Sequence, residues 1–291
     1  MPGHSSRGTL LICLLFLFLI PAWALSPNVL LVVLDNAGFD AALNVETYVS
    51  LQQQGLLLTN YHGVGHPSLP NHVALVGGDT WGLTDDEFHE IGGACLADLL
   101  EEQHITWKSY VENYPGGCYK EKFGVGENTL YSRAHNPFIM FTAVTNDNGR
   151  CARVVDADEF TVDVHSDQLP RFSLYIPNQA NGGHDTDAAV TGTWLEWFLS
   201  KYQRHLTNTI IVVTSGEERE SNANHVWTMV LHANPPTDEA MSAFENHTAL
   251  VPGSRDDGRY DHYSLLRSIE TLFGLGSLGR RDAVASVCSA S

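Results

Sequence analysis

Basic residues are scarce in this sequence of 291 residues, which has 16 Lys and Arg against 34 Asp and Glu. The formal net charge of −18 argues against nucleic acid or an anionic membrane as a general partner, because both attract positively charged surfaces. A small phosphorylated substrate is compatible with this charge, since one local pocket can oppose the field of the whole protein. Charged residues make up only 17% of the chain and aromatic residues 10%, which is not a disordered composition. The composition predicts an acidic folded protein.

Long apolar runs are also few, and the most continuous one covers residues 10–20. It follows Arg7 and is closed by Pro-Ala-Trp-Ala at residues 21–24, an A-x-A-like cleavage site. This pattern is typical of a secretory signal peptide, and the run is short for a membrane span. We therefore predict a signal peptide over residues 1–24, a secreted, extracellular protein and no stable membrane span, with an uncleaved anchor as the alternative.

Cysteine is sparse and never occurs as C-x-x-C, the spacing of many structural zinc sites. Removal of the leader takes away Cys13, and the even number that is left predicts two disulfides in an oxidising compartment, with three connectivities open. In a secreted chain, Asn-His-Thr at residues 246–248 is an N-glycosylation site. The remaining cysteines are Cys95, Cys118, Cys151 and Cys288.

Short apolar runs alternate with stretches of helical periodicity. The apolar runs are typical of buried strands, and the alternation predicts an α/β fold with a mostly parallel central sheet and helices on both faces. We predict a single domain over residues 25–291, with a loop-rich insertion around 113–170 where Gly, Asn and Asp are frequent. The predicted strands are residues 28–34, 172–176, 209–213 and 226–231, and the predicted helices are residues 94–103, 187–202 and 264–273.

Polar side chains follow three of these strands. Asp35 and Asn36 follow the first, His184 and Asp185 lie in a Gly-rich segment after the second, and an acidic cluster that begins with Glu217 follows the third. Ligands of open α/β sheets bind at the carboxyl ends of the strands, so these side chains are expected to meet. Carboxylate and amide oxygens suit a hard divalent cation, and a histidine beside a carboxylate offers a proton donor. Each group also has a simpler interpretation. Asp35 and Asn36 would cap a turn or helix, the acidic cluster at Glu217 would be solvated, and His184 and Asp185 would form a turn with an internal hydrogen bond.

Ser68 lies just ahead of a predicted helix, within His-Pro-Ser-Leu-Pro-Asn at residues 66–71. Pro70 is tolerated in the first turn of a helix, and a Gly-Gly pair ends the apolar stretch. Serine is a preferred N-cap residue, so a structural role is one interpretation. The other is a nucleophile at a helix N-terminus, where backbone N–H groups and the helix dipole favour an incoming phosphoryl group.

The order and wording of seven segments carry more information than any single residue. The segments are VLLVVLDNAGFD (29–40), NYHGVGHPSLPNHVALVGG (60–78), ACLADLLEEQHITWKSYVENYPGGC (94–118), HNPF (135–138), LPRFSLYIPNQANGGHDTD (169–187), IIVVTSGEE (210–218) and DHYSLLRSIETLFGLGSLG (261–279). Together they resemble the secreted acid phosphatase and phospholipase C-like phosphoesterases, a family with an alkaline phosphatase-like core. The resemblance is collinear through nearly the whole chain after the leader and is strongest to fungal-type acid phosphatases.

The resemblance implies that a serine attacks phosphorus and forms a phosphoseryl intermediate. It also implies one divalent metal ion, which would lower the serine pKa and neutralise charge on the transferred group. The metal identity stays open, because oxygen ligands suit Mg²⁺, Ca²⁺ or Mn²⁺ and a histidine ligand would favour Zn²⁺ or Fe. A histidine would donate a proton to a phosphoryl oxygen or the leaving group, oriented by the next residue. The implied catalytic residues are Ser68, His184, Asp185 and His262, and the implied metal ligands are Asp35, Asn36, Ser68 and Glu217.

Three positions depart from the family pattern. Asp35 replaces a glutamate, Gly216 replaces one acidic metal ligand, and Gly182 replaces an acidic residue in the loop after the second strand. A hard cation held by fewer anionic ligands binds more weakly. Two outcomes are open at this position: Glu218 replaces the lost ligand, or Gly216 leaves a water-filled gap. Restoring the carboxylate with Gly216→Asp is therefore expected to raise activity sharply.

The sequence thus predicts a secreted, metal-assisted phosphomonoesterase with a small phosphorylated substrate and no nucleic acid partner. A phospholipase C-like phosphodiesterase is an alternative, although the sequence shows no wide apolar mouth for diacylglycerol. The other alternative is a catalytically impaired secreted protein that keeps the fold, which is consistent with glycines at two acidic positions.

Overall fold

A computed structural model describes residues 26–126, 129–218, 221, 223–235 and 250–288. The predicted signal peptide and the glycosylation site lie outside these residues. No helix within them is long and apolar enough to cross a membrane. The strands are β1 Asn28–Leu34, β2 Leu56–Leu58, β3 Tyr61–His62, β4 Trp107–Val111, β5 Val154–Asp156, β6 Phe172–Ile176, β7 Thr209–Ser215, β8 Thr228–Ala233, β9 Ser254–Asp256 and β10 Tyr260–Asp261.

Eight strands form one sheet in the order β5-β4-β6-β1-β7-β8-β2-β9. β1 lies near its centre and pairs in parallel with β6 on one side and β7 on the other. β8 is antiparallel to both of its neighbours, whereas the other pairs in this sheet are parallel. β3 and β10 form a small parallel pair. The predicted mostly parallel sheet is confirmed, and β8, which was expected to resemble the parallel strands, is the exception.

Helices cover both faces of the large sheet, and β1 is therefore buried on both sides. Its side chains alternate, so Val29 and Val33 pack into one hydrophobic core and Leu30 and Leu34 into the other. The helices are α1 Phe39–Leu43, α2 Glu46–Leu51, α3 Ser68–Gly77, α4 Leu96–Glu102, α5 Thr142–Thr145, α6 Asn148–Cys151, α7 Asp158–His165, α8 Gln179–Gly182, α9 Ala188–Tyr202 and α10 His262–Leu272. Side chains of α3, α4 and α10 enter the first core, and those of α2, α7 and α9 enter the second.

The three predicted helices are confirmed as α4, α9 and α10, with ends that differ by up to two residues. Asp187 is the N-cap of α9, and its side chain accepts hydrogen bonds from two backbone N–H groups of the first turn. Asp261 caps α10 in the same way, so this helix begins two residues before the predicted start. Residues 113–170 contain β5, the short helices α5 and α6, α7 and single 3-10 turns.

One disulfide, Cys118–Cys151, joins the loop after β4 to the end of α6. The prediction of two disulfides is wrong, because Cys95 and Cys288 are both free thiols. Cys95 is the N-cap of α4, where it shares a capping box with Asp98. Burial raises the pKa of each free thiol to about 12.

The segment after α10 holds the end of α3. Gly78 follows this helix at a φ of +72°, a left-handed conformation that favours glycine. The Arg280 side chain donates to the Gly77 carbonyl at 2.8 Å, and the Arg281 N–H donates to the Gly78 carbonyl at 3.0 Å. Asp282 is buried and accepts from the Arg280 N–H at 3.0 Å. These contacts satisfy carbonyl groups that a helix end leaves without intrahelical partners.

Candidate active site

The carboxyl ends of β6, β1 and β7 meet at one edge of the sheet, beside the first turn of α3. A cavity of about 240 Å³ opens there, lined by Ser68, His184 and Glu217 among the predicted site residues. Asp35 contacts one of these residues, with Oδ1 3.3 Å from the Ser68 hydroxyl oxygen. The structure therefore brings the polar residues of three separate strand ends into one place. The other residues that line the cavity are His66, Pro67 and Asp86.

Ser68 is the first residue of α3, and Pro67 occupies the N-cap position. The interpretation of Ser68 as the N-cap is therefore wrong. Its side chain is buried, and its hydroxyl donates to Glu217 Oε1 at 2.9 Å while also lying close to Asp35. The hydroxyl is thus directed at two carboxylates instead of at the helix backbone, an arrangement that suits a nucleophile or a metal ligand.

Asn71 fixes the loop that leads into Ser68. Its side chain is fully buried, and its Oδ1 accepts from the N–H groups of Val64 at 2.8 Å and Gly65 at 3.0 Å. Its Nδ2 donates to the carbonyl groups of Gly65 at 2.8 Å and Pro67 at 2.9 Å. One amide side chain therefore satisfies four backbone groups and sets the position of the serine.

Asp35 and Glu217 are two buried carboxylates beside the serine hydroxyl, each 3% exposed. Burial, and then the charge of Asp35, raise the pKa of Glu217, against the effect of its hydrogen bonds. One of these bonds comes from His66, whose Nδ1 donates to Glu217 Oε2 at 2.5 Å. Two buried anionic groups this close together are costly unless a cation lies near them. The pair therefore fits a divalent metal ion.

Asn36 contributes a further oxygen to this region. Its φ of +56° places the side chain over the strand end, where Nδ2 lies 3.3 Å from Asp35 Oδ2 and 3.4 Å from the Gly183 carbonyl oxygen. Its Oδ1 is buried and makes no hydrogen bond with any described residue. Buried oxygens normally have a partner, and a cation would supply one here.

The loop after β6 is held against β1. The Asp35 N–H donates to the Gly182 carbonyl at 2.7 Å. At Gly183, where φ is +99°, an added Cβ would lie 2.6 Å from the Asp35 carbonyl oxygen, so only glycine fits. His184 follows and donates from Nδ1 to Asp185 Oδ1 at 2.8 Å. The predicted His–Asp pair forms, but only His184 reaches the cavity, while Asp185 is exposed.

The space beside Gly216 is filled by His72. A Cβ at Gly216 would lie 2.8 Å from His72 Cε1, and His72 is only 1% exposed. Glu218 packs against Gly38 instead, where its Cγ would lie 2.5 Å from an added Cβ. The expectation that water fills a gap at Gly216 is therefore wrong.

His72 belongs to a row of histidines on the Asp35 side of the site. Its ring stacks on His135 with centroids 5.0 Å apart and an angle of 18°, and His135 lies 5.4 Å from the His184 ring. Burial, and then the neighbouring His135, lower the pKa of His72 to about 3, so its ring is neutral. Its Nδ1 donates to the Ser68 carbonyl at 3.0 Å.

His262 lies behind the turn that carries Glu217, outside the cavity. It is fully buried, and its Nε2 donates to the Gly216 carbonyl at 2.7 Å while Nδ1 accepts from the Tyr61 hydroxyl at 3.0 Å. Burial lowers its pKa to about 4. The structure thus places His262 where it positions the turn through a backbone contact, and not where it touches a substrate.

Three residues near the serine had no role in the sequence analysis. His66 and His135 stand in the segments HPSLPN and HNPF, so their place in those segments was the available signal. Asp86 accepts from the Leu69 N–H at 2.9 Å and so occupies the start of α3. Several acidic residues lie nearby in the sequence, and no pattern distinguishes Asp86 from them.

The sheet and the helices that cover it form an alkaline phosphatase-type fold. A solved structure of a protein in the alkaline phosphatase superfamily from Vibrio parahaemolyticus is similar with a TM-score of 0.57 and 12% sequence identity. The similarity covers 89% of this chain and 70% of that one. Residues 37–276 match the Phosphoesterase family, and the chain belongs to that family.

Several curated relatives of this chain are fungal acid phosphatases. The phosphate-repressible acid phosphatase of Penicillium chrysogenum is 33% identical over 261 residues, and the acid phosphatase of Aspergillus niger is 35% identical over 269 residues. These alignments cover 87% and 88% of this chain but 60% of each relative. The chain therefore spans about three fifths of the length of these relatives.

Proposed function

We propose that this protein is a secreted, metal-assisted phosphomonoesterase that acts through Ser68. The observation that carries the proposal is the position of the Ser68 hydroxyl, at the start of α3 and between two buried carboxylates. The names of the fungal relatives, all acid phosphatases, support the same reaction class. Secretion rests on the leader-like sequence of residues 1–24.

In the proposed reaction the Ser68 oxygen attacks phosphorus as the bond from phosphorus to the leaving-group oxygen breaks. Glu217 Oε1 already accepts a hydrogen bond from the serine hydroxyl and can take its proton. The leaving group departs with the electron pair of the broken bond and takes up the proton held by Glu217, which leaves a phosphoseryl enzyme. A water molecule then attacks the same phosphorus, and its proton restores the serine hydroxyl as inorganic phosphate is released. The positive end of the α3 dipole favours the negative charge of the phosphoryl group.

The residues around the serine fit a divalent metal ion. Asp35, Asn36, Ser68 and Glu217 would hold it, and the unsatisfied Asn36 Oδ1 is the observation that favours this ligand set. When bound, such an ion lowers the pKa of the serine hydroxyl and neutralises charge on the transferred group. Because Gly216 lacks a side chain, the set has one carboxylate fewer than the family pattern.

The size of the cavity favours a monoester with a variable leaving group. Its volume of about 240 Å³ is below the ~300–1,000 Å³ that typically encloses a drug-sized ligand, so it accommodates a phosphoryl group and little more. His184, oriented by Asp185, also lines this cavity and would act on the phosphoryl oxygens. A phospholipase C-like reaction would need an apolar surface for two acyl chains, which the described cavity lining does not provide.

The test is hydrolysis of an aryl phosphate by the mature protein across pH, with each of several divalent metals. Ser68→Ala is expected to abolish turnover, and Ser200→Ala, an exposed serine on α9, serves as the matched control. Acid-quenched reactions should contain a phosphorylated peptide that includes Ser68. Equal activity of Ser68→Ala and Ser200→Ala would refute the serine mechanism. No turnover by any of the three proteins would favour the impaired alternative, and faster hydrolysis of an aryl diester would favour a phosphodiesterase.

A further inference from the structure

The first turn of α3 has few free hydrogen-bond donors. A helix leaves the N–H groups of its N-cap residue and its first three residues without intrahelical partners. In α3 the N-cap residue is Pro67 and the third residue is Pro70, and proline has no N–H group. The N–H groups of Ser68 and Leu69 are therefore the two donors that remain in this turn.

Asp86 occupies one of these two donors. Its Oδ1 accepts from the Leu69 N–H at 2.9 Å, and Asp86 lines the same cavity as Ser68. Asp86 lies 17 residues after Leu69, in the loop between α3 and α4, so the segment that precedes the helix does not supply this carboxylate. A helix N-terminus attracts a carboxylate and a phosphoryl group for the same electrostatic reason. The carboxylate of Asp86 and a phosphoryl group in the cavity therefore compete for one donor.

The backbone of Asp86 is held more firmly than its side chain. The guanidinium of Arg133, which is buried, donates from Nη2 to the Asp86 carbonyl oxygen at 3.3 Å. The carboxylate itself is in no ion pair with a residue that the structure describes, and its contact with Leu69 is its one hydrogen bond there. The Asp86 side chain is only partly buried, so it can leave Leu69 by rotation while its backbone stays in place. Its negative charge then faces the cavity without a cationic partner.

We infer that Asp86 is a displaceable competitor of the phosphoryl group at the first turn of α3, and that it limits how tightly the cavity holds phosphate. The inference deepens the proposed function and rests on it for the position of the phosphoryl group beside Ser68. A substrate displaces the carboxylate from the Leu69 N–H when it binds. After hydrolysis the carboxylate returns to this donor and repels inorganic phosphate, which favours product release. Because this repulsion grows with the charge of the ligand, Asp86 acts more strongly on a phosphate dianion than on a monoanionic diester.

Binding of inorganic phosphate tests this inference without turnover. The mature protein is titrated with phosphate in a calorimeter as wild type, Asp86→Asn and Asp86→Ala, with the same divalent metal throughout. Asp86→Asn keeps an oxygen that can accept from the Leu69 N–H but removes the charge, whereas Asp86→Ala frees the donor. Both variants are expected to bind phosphate roughly tenfold more tightly than wild type or better. Like charges in contact near a protein surface repel by more than the ~1.4 kcal/mol that corresponds to this ratio.

Asp85→Asn is the matched control, because it makes the same change in net charge one residue away. The Asp85 carboxylate is exposed and faces His89 at 2.7 Å, and Asp85 does not line the cavity. This variant should bind phosphate as wild type does. Dimethyl phosphate, which is a monoanion, gives a second readout that a purely structural role of Asp86 would not affect. At alkaline pH its affinity should increase less in Asp86→Asn than that of inorganic phosphate.

Unchanged phosphate affinity in both Asp86 variants would overturn the inference and leave Asp86 as a cap of α3. An equal gain in Asp85→Asn would also overturn it, since the effect would then be one of net charge. The proposed function fails in a different way, because full turnover by Ser68→Ala refutes the serine mechanism whatever the phosphate affinity is. Conversely, Ser68-dependent turnover with unchanged phosphate affinity in the Asp86 variants refutes only the role of Asp86. Absence of phosphate binding in every variant would count against both.

Discussion

A single methyl group at Gly216 tests whether His72 occupies the position of the missing carboxylate. The backbone of Gly216 is outside the left-handed region, so alanine meets no conformational barrier there. Its Cβ would, however, lie 2.8 Å from His72 Cε1, which is 0.6 Å less than the 3.4 Å at which ordinary contact begins (3.4 − 2.8). His72 cannot move freely, because it is buried, stacked on His135 and bonded to the Ser68 carbonyl.

Overpacking of this kind costs about 1–3 kcal/mol of unfolding free energy. Alanine also lowers the entropy of the unfolded chain, which returns about 0.4–1 kcal/mol. We therefore expect Gly216→Ala to lose about 1–2 kcal/mol in urea denaturation. Gly92→Ala is the matched control, because a Cβ at Gly92 meets nothing within 4 Å. Its stability should equal or slightly exceed that of wild type.

Removal of the imidazole should relieve the clash. His72→Ala is itself destabilising, because it deletes a buried ring, but in that background Gly216→Ala should cost less by about 1 kcal/mol or more. Gly216→Asp is expected to lower activity in the wild-type background, in contrast to the expectation from sequence, and to lower it less in His72→Ala. The reasoning fails if Gly216→Ala is as stable as Gly92→Ala, or if the penalty is the same with and without His72.

Two further predictions concern buried polar groups. Burial, and then Asp282, raise the pKa of Glu270 to about 7 from 4.5, so the folded state holds this proton more tightly than the unfolded state. The contribution of this proton to the free energy of unfolding is complete below pH ~4.5 and is lost as the pH rises through ~7, by at most about 3 kcal/mol. Glu270→Gln should flatten the pH profile of the urea midpoint, whereas the exposed control Glu196→Gln should leave the profile unchanged. Asn71→Ala leaves the partly buried N–H groups of Val64 and Gly65 without their acceptor. We therefore expect a loss of about 1–3 kcal/mol in thermal unfolding and reduced turnover, with Asn71→Asp, which keeps the acceptor, intermediate. Wild-type turnover in a folded Asn71→Ala protein would contradict a positioning role.

The strands at the centre of the sheet could be read directly from the sequence. β1 and β6 have the predicted bounds, because a strand buried on both faces is a continuous apolar run with polar residues at its end. β8 lies two residues after the predicted run and is antiparallel. Strand direction depends on the connection and the partner, which a short apolar run does not encode.

The site residues that directly follow strands could be predicted from the sequence, whereas a site residue on a helix could not. Asp35, His184 and Glu217 were found because the carboxyl ends of parallel strands share one edge. His72 was missed as the group beside Gly216, because it faces inward from α3 in a helix that is buried on every side. Contacts between side chains distant in sequence, such as this one, depend on packing and not on local pattern.

The contacts between residues 280–282 and the end of α3 have a practical consequence for anyone labelling or tagging this protein. The helix that begins with Ser68 accepts hydrogen bonds at its other end from the side chain of Arg280 and the backbone N–H of Arg281. A dye, linker or fused domain inserted in this short segment would break these hydrogen bonds and destabilise the end of α3. The helix that positions Ser68 would then be affected, although residues 280–282 are distant from Ser68 in the sequence. The attachment point therefore belongs elsewhere, on a surface with no mechanical connection to α3.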